Sequence, residues 1–323
     1  MKNALITGIT GQDGFHLTEF LHSKGYQIFG LIKNQNNPRV IEFSKKFPEV
    51  QLLVGDLTDL SSLVRAIETS NPNELYNLGA ISFVALSFKQ PELTANVTGL
   101  GPLRLLEAIR AIGAEQQVKF YQASSSEMFG KVLQVPQNET TRFNPVSPYG
   151  TAKVFAHQTC VNYREEYGMN VSCGVLFNHE GEYRGEQYVT RKITKAVAQI
   201  SKGNLDRIKL GTLEARRDWG YAGDYIKAMW LMLQQNNSDD FVIATGKTHS
   251  IREFLAIAIE AAGLTGFPED YVIIDDNLKR PADENSLIGD ATKAKKVLGR
   301  EPKVSFEELV TKMVRTDMDC STN

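Results

Sequence analysis

The sequence is poor in cysteine, has no long apolar run and carries no charge excess of either sign. Cys160, Cys173 and Cys320 are the three cysteines in 323 residues. Their odd number and wide spacing exclude a zinc pattern and a disulfide framework, and no metal ligand set is expected. The longest apolar runs, such as Ala228 to Leu233, hold six residues. A bilayer-spanning helix needs ~20. Met1-Lys2-Asn3 leads straight into a strand-like run, so no signal peptide is expected. Lys plus Arg number 36 and Asp plus Glu number 38, a formal net charge of −2. Binding to nucleic acid or to an anionic membrane surface needs a basic excess, so neither partner is expected. A small anionic ligand held by a few local cations stays compatible with that balance. A soluble cytoplasmic protein is the expectation.

What is present is globular. Hydrophobic residues make up 42% and charged residues 23%, which argues against disorder. At ~100–200 residues per domain, the length predicts about two domains. Short apolar runs at Ala4–Thr7, Gln27–Ile32, Leu52–Val54, Leu75–Leu78, Lys119–Ala123 and Val171–Phe177 read as strands. Helical stretches at Phe15–Lys24, Leu60–Thr69, Leu100–Ile112 and Tyr149–Tyr167 lie between them. This alternation predicts an α/β fold: a Rossmann-type, doubly wound parallel sheet with helices on both faces. Ligands then bind at the carboxyl ends of the strands. After Phe177 the rhythm breaks into a loop over Asn178–Gly185 and mainly helical segments. The expected division is a Rossmann domain of residues 1–177 with about 222–246, and a smaller, discontinuous substrate lobe of about 178–221 and 247–323.

Gly8-x-x-Gly11-x-x-Gly14 follows the first strand and opens the first helix. Glycines there allow a tight turn and close approach of a pyrophosphate to the helix N-terminus. The second strand ends Leu31-Ile32-Lys33-Asn34, without the acid that selects NAD. Lys33, helped by Arg39, would instead attract a 2′-phosphate, so NADP is the expected cofactor. Asp56 follows the third strand, where it can accept from the adenine amino group or form an Asp turn.

Tyr149 and Lys153 are four apart, which places them on one helix face behind Pro148. A lysine beside the hydroxyl is expected to lower its pKa from ~10 toward neutrality. Ser124 to Glu127 reads Ser-Ser-Ser-Glu at the end of the fifth strand. A dehydrogenase or epimerase needs no carboxylate there. An eliminase needs a base for an acidified C–H and a proton for departing water.

These residues identify a resemblance. The chain resembles the extended short-chain dehydrogenase/reductase family and, within it, the GDP-mannose 4,6-dehydratases. The matching segments include Thr7-Gly-Ile-Thr-Gly-Gln-Asp-Gly14, Gly55-Asp-Leu-Thr-Asp59, Tyr76-Asn-Leu-Gly-Ala80, Ser147-Pro-Tyr-Gly150, Phe177-Asn-His-Glu180, Val189-Thr-Arg-Lys-Ile193, Arg217-Asp-Trp-Gly220 and Arg280-Pro-Ala282. The resemblance implies oxidation at C4, loss of water across C5 and C6, and return of the hydride to C6. It gives Tyr149 the O4 proton, Glu127 the C5 proton and Lys153 the nicotinamide ribose. Ser125 bonds O4 where the family usually has threonine. Thr10, Gln12, Asp13, Leu57, Leu78 and Ala80 join the cofactor set. Ser82, Asn178, Val189, Lys192, Arg217, Arg280 and Asp283 join Ser125 and Glu127 as substrate residues. A homodimer or homotetramer acting on a GDP-sugar is implied. Ile81 and Phe83 replace a polar glutamine and histidine of the family, which keeps a modified GDP-sugar such as a GDP-heptose open as the substrate. A nucleotide-sugar 4-keto-reductase or epimerase, and a non-catalytic dinucleotide-binding sensor, stay open beside the dehydratase.

Overall fold

The protein is described by a computed structural model that covers residues 1–278 and 287–320. Six strands arise where short β-branched or aromatic runs meet turn residues: β1 Asn3–Thr7, β2 Gln27–Ile32, β3 Gln51–Val54, β4 Glu74–Asn77, β5 Lys119–Ser125 and β6 Val171–Leu176. They join Asp240–Ile243 in one seven-stranded sheet, ordered β3-β2-β1-β4-β5-β6 and then Asp240–Ile243. Every pairing is parallel.

Side-chain alternation divides the core. Ala4 and Ile6 of β1 face one apolar cluster with Phe15, Phe43 and Met229. Leu5, between them, faces the other cluster with Leu63, Leu105 and Phe120. Both faces are therefore covered, as a parallel sheet requires. Truncating Leu5 to alanine would cost about 2–5 kcal/mol. The first helices, α1 Gln12–Ser23, α2 Pro38–Lys46 and α3 Leu60–Ser70, supply part of this cover.

The helix Pro38–Lys46 is absent from the periodicity of the sequence. Its signal is local: Asn37 accepts from the Arg39 amide, and Pro38 occupies the first turn. The expected loop after Phe177 also contains a strand, Asn178–Glu180, paired with Trp219–Tyr221. Arg216–Arg217 pairs with His249–Ser250, and Ile208–Leu210 with Val272–Ile274. These strands are two or three residues long, too short to show a period. A separate apolar cluster packs the helices Val189–Ile200, Ile251–Ala261 and Phe306–Cys320 together around Trp219.

Candidate active site

The strand order reverses between β1 and β4, which opens a crevice at their carboxyl ends. The glycine-rich turn fills one wall. Gly8 takes φ +67°, and a Cβ on Gly14 would stand 2.0 Å from the Ile9 carbonyl oxygen. A Cβ on Gly8 would lie 2.8 Å from the Gly79 nitrogen, so the turn abuts the Leu78–Ala80 segment. Gly11 caps α1 without any side-chain bond, which leaves the first amides of the helix to an anion. Gln12 donates to Asp13 Oδ1 and to the His179 carbonyl, while its own buried Oε1 has no partner. Thr10 lies within this turn. Open amides and an orphaned acceptor fit a bound dinucleotide.

The distal end of the crevice holds an ion pair. Lys33 Nζ lies 2.7 Å from Asp56 Oδ2. That pair and the Thr58 amide hold the Asp56 carboxyl below its ordinary value, against its partial burial. Arg39 bonds Glu42 and the Tyr183 carbonyl, and its guanidinium stacks 4.7 Å from the Phe15 ring centroid. Leu57 is buried against Gly79 and Gly101, and its carbonyl accepts from Arg104.

The reaction groups converge at the end of β5. The helix Pro148–Glu166 starts at the Ser147 cap and carries Tyr149 and Lys153, both buried. The Tyr149 hydroxyl lies close enough to the Ser125 side chain and to Glu127 for both to act on its acidity. Ser125 Oγ in turn accepts from the Glu127 amide at 3.2 Å. Lys153 Nζ donates to the Ala123 carbonyl at 2.6 Å and sits 5.7 Å from the Tyr149 ring centroid.

The tyrosine's acidity departs from expectation. Burial pushes the Tyr149 hydroxyl up, well above the tyrosine range, and Tyr188 and Glu127 add to it. The neighbouring Ser125 hydroxyl and the Arg184 charge oppose this without reversing it. Burial pushes Lys153 down to about 8. The expected lowering by Lys153 is therefore corrected: the ammonium is spent on a backbone carbonyl, and burial dominates.

Two residues near Tyr149 were missed from sequence. The Arg184 guanidinium stacks 3.6 Å from the Tyr188 ring centroid, and the Tyr188 hydroxyl meets Ser82 Oγ at 2.9 Å. Their only signal was an arginine and an aromatic in a glycine-containing loop before a helix. Val189 opens that helix, and Lys192 on it donates to the Lys209 carbonyl at 2.7 Å. Arg217 Nη1 donates to the Arg216 carbonyl, and Asn178 sits at the start of its short strand. Arg280 and Asp283 lie outside the described residues.

Comparison with known proteins agrees with this geometry. A family model described as GDP-mannose 4,6 dehydratase matches residues 5–313. GDP-mannose 4,6 dehydratase 2 of Arabidopsis thaliana is 50% identical, over 98% of this chain and 87% of its own length. GDP-mannose 4,6 dehydratase of Homo sapiens is 47% identical, over 98% and 91%. The solved structure of Thermus thermophilus UDP-glucose 4-epimerase in complex with NAD is 27% identical, with TM-score 0.83 over 97% of this chain and 98% of that one. The chain belongs to the GDP-mannose 4,6-dehydratase family of extended short-chain dehydrogenases/reductases.

Proposed function

We propose that this chain is a dehydratase that converts GDP-mannose to GDP-4-keto-6-deoxymannose with a resident NADP. The observation that carries the reading is a carboxylate, Glu127, set beside the Ser125–Tyr149 hydroxyl pair at a strand end. Ser125 orients the sugar O4, and Tyr149 takes its proton. A nicotinamide dinucleotide held by the Gly8–Gly14 turn and by Lys153 would supply the hydride acceptor for C4 and the donor for C6, and would be regenerated in each turnover. The new 4-ketone acidifies C5–H. Glu127 removes that proton and protonates the C6 hydroxyl, which departs as water. The proton that Tyr149 took from O4 then goes to C5, which leaves the 4-ketone and a net loss of one water.

On this reading the portion 1–177 with about 222–246 holds the cofactor, and the remaining lobe holds the nucleoside diphosphate through Asn178, Lys192, Arg217 and Arg280. Cations and an amide neutralise a diphosphate locally without altering net charge. NADP is supported by the Lys33-Asn34 end of β2, which has no carboxylate of its own. Asp56 neutralises Lys33 and must yield to a 2′-phosphate. A cytoplasmic homodimer or homotetramer completes the reading. Association of copies is supported by the exposed aromatic side chains of Phe88 and Phe155.

The test incubates the protein with GDP-mannose and follows the sugar by NMR. A new C6 methyl doublet is expected, and the cofactor released on denaturation is NADP. Bound NADP with no methyl signal would sink the substrate assignment.

A further inference from the structure

Three side chains from one helix face lie against the last three residues of β5, and two of them hold it by hydrogen bonds. Tyr149, Lys153 and His157 are spaced by four along Pro148–Glu166, so they share that face. Tyr149 lies beside the Ser125 side chain, and Lys153 Nζ donates to the Ala123 carbonyl at 2.6 Å. His157 Nδ1 lies 2.9 Å from Ser124 Oγ. The proposed chemistry uses the first two contacts and leaves the third unexplained. His157 and Ser124 are 4% and 3% exposed, so water does not compete for the bond.

The imidazole is itself fixed on its other sides. Phe143 meets it edge-on at 5.2 Å. Cys173 of β6 lies beside it, and both Cys173 and Cys160 are buried free thiols. Nε2 faces Asp240 Oδ2 at 3.7 Å. Asp240 receives both prongs of Arg164, at 2.8 and 3.0 Å. His157, Cys173 and Asp240 bring potential metal-ligand atoms within 4.8 Å of one another. The guanidinium fork already neutralises that carboxylate, so the cluster reads as an anchor for the ring and not as a cation site.

We propose that His157 is a positioning residue: it acts through Ser124 to fix the end of β5 and, with it, the Ser125 hydroxyl against Tyr149. The inference rests on the dehydratase reading above. A small misplacement of reacting groups is enough to slow chemistry by up to about 100-fold.

The test compares four variants with the unsubstituted chain. His157→Ala and Ser124→Ala each lower kcat about tenfold, with KM for GDP-mannose changed less than about twofold. The double variant loses no more than either single one, because both break the same contact. His157→Asn, whose amide falls near the Nδ1 position, restores kcat; His157→Gln, whose amide falls near Nε2, does not. A merely structural role would not separate Asn from Gln in kcat. Equal kcat in those two variants, or full kcat in Ser124→Ala, overturns the proposal. A second readout needs no activity. The imidazole nitrogen resonance of His157 in the ligand-free protein shifts in Ser124→Ala, and an unmoved resonance also overturns the proposal. No turnover by the unsubstituted chain would overturn the dehydratase reading and this role with it. Turnover with indifferent variants would overturn this role alone.

Discussion

The Asp13 carboxylate lies 2.9 Å from His179 Nε2 and ties the glycine-rich turn to the segment after β6, 166 residues away in sequence. The imidazole's other nitrogen meets the Phe177 carbonyl at 2.8 Å, and its ring stacks on Tyr225 at 4.6 Å. One half-buried pair therefore joins the first strand's loop, the end of the sheet and the helix Ala222–Leu233.

Burial opposes both charges, but each outweighs it for the other. The Asp13 carboxyl is held below its ordinary 3.8 and the His179 imidazolium above its ordinary 6.5. The His179 contribution to stability is full below pH 6.5 and is lost as pH rises through its raised folded value. The Asp13 contribution is present above pH 3.8 and is lost as pH falls through its lowered folded value. His179→Gln is expected to cost about 1.5–3 kcal/mol near pH 6. The gap in melting temperature between variant and parent should narrow as pH rises above 6.5. A gap that stays constant with pH would show an uncharged contact.

Glu127→Gln keeps the side chain's shape and removes the base. Turnover should fall by about 10²–10⁴. Oxidation at C4 should survive as transient NADPH absorbance on mixing with GDP-mannose. Full turnover in this variant would refute the role given to Glu127.

Lys153 loses its charge as pH rises through about 8. The charged form donates to the Ala123 carbonyl beside the reaction centre and, on the proposed reading, holds the nicotinamide ribose, so kcat/KM should decline above that pH. The profile of kcat/KM reports groups of the free enzyme. Lys153→Arg stays charged and should move the decline to higher pH; an unmoved decline would assign the limb to another group.

Gly150 follows Tyr149 at the start of the helix. A Cβ there would stand 2.6 Å from the Glu127 carbonyl oxygen, a backbone atom with little room to yield. Gly150→Ala should cost about 1–3 kcal/mol in urea unfolding and displace Glu127 from its partners. Elimination should suffer more than NADP binding, measured by fluorescence titration.

Lys33→Glu places two carboxylates together at the end of β2. NADP affinity should fall about tenfold or more, a change of at least ~1.4 kcal/mol, while NAD affinity changes less. Equal losses for both cofactors would remove Lys33 from the recognition of a 2′-phosphate.

The parts of the fold visible in sequence were those written in local periodicity. The six β1–β6 segments, the glycine turn and the Tyr149–Lys153 spacing repeat at two, three or four residues, and each lies within a short window. The helix Pro38–Lys46 had a cap signal in Asn37-Pro38 that periodicity alone passed over. The paired strands Asn178–Glu180 and Trp219–Tyr221 had none, because two or three residues carry no period and the partner lies far along the chain. His179, Arg184 and Tyr188 were missed for the same reason: their roles come from what they meet.

By itself, the sequence determined the parallel α/β architecture, the family and the residue types at the reaction centre. Local propensity and glycine spacing suffice for these. Tertiary structure decided how those residues behave. Lys33, expected to attract a phosphate, also meets the Asp56 carboxylate, because β2 and β3 end side by side. Tyr149, expected to be acidified, is instead raised, because folding removes it from water and turns Lys153 toward the Ala123 carbonyl. Charge and acidity depend on burial and on neighbours brought from elsewhere in the chain, and only folding supplies both.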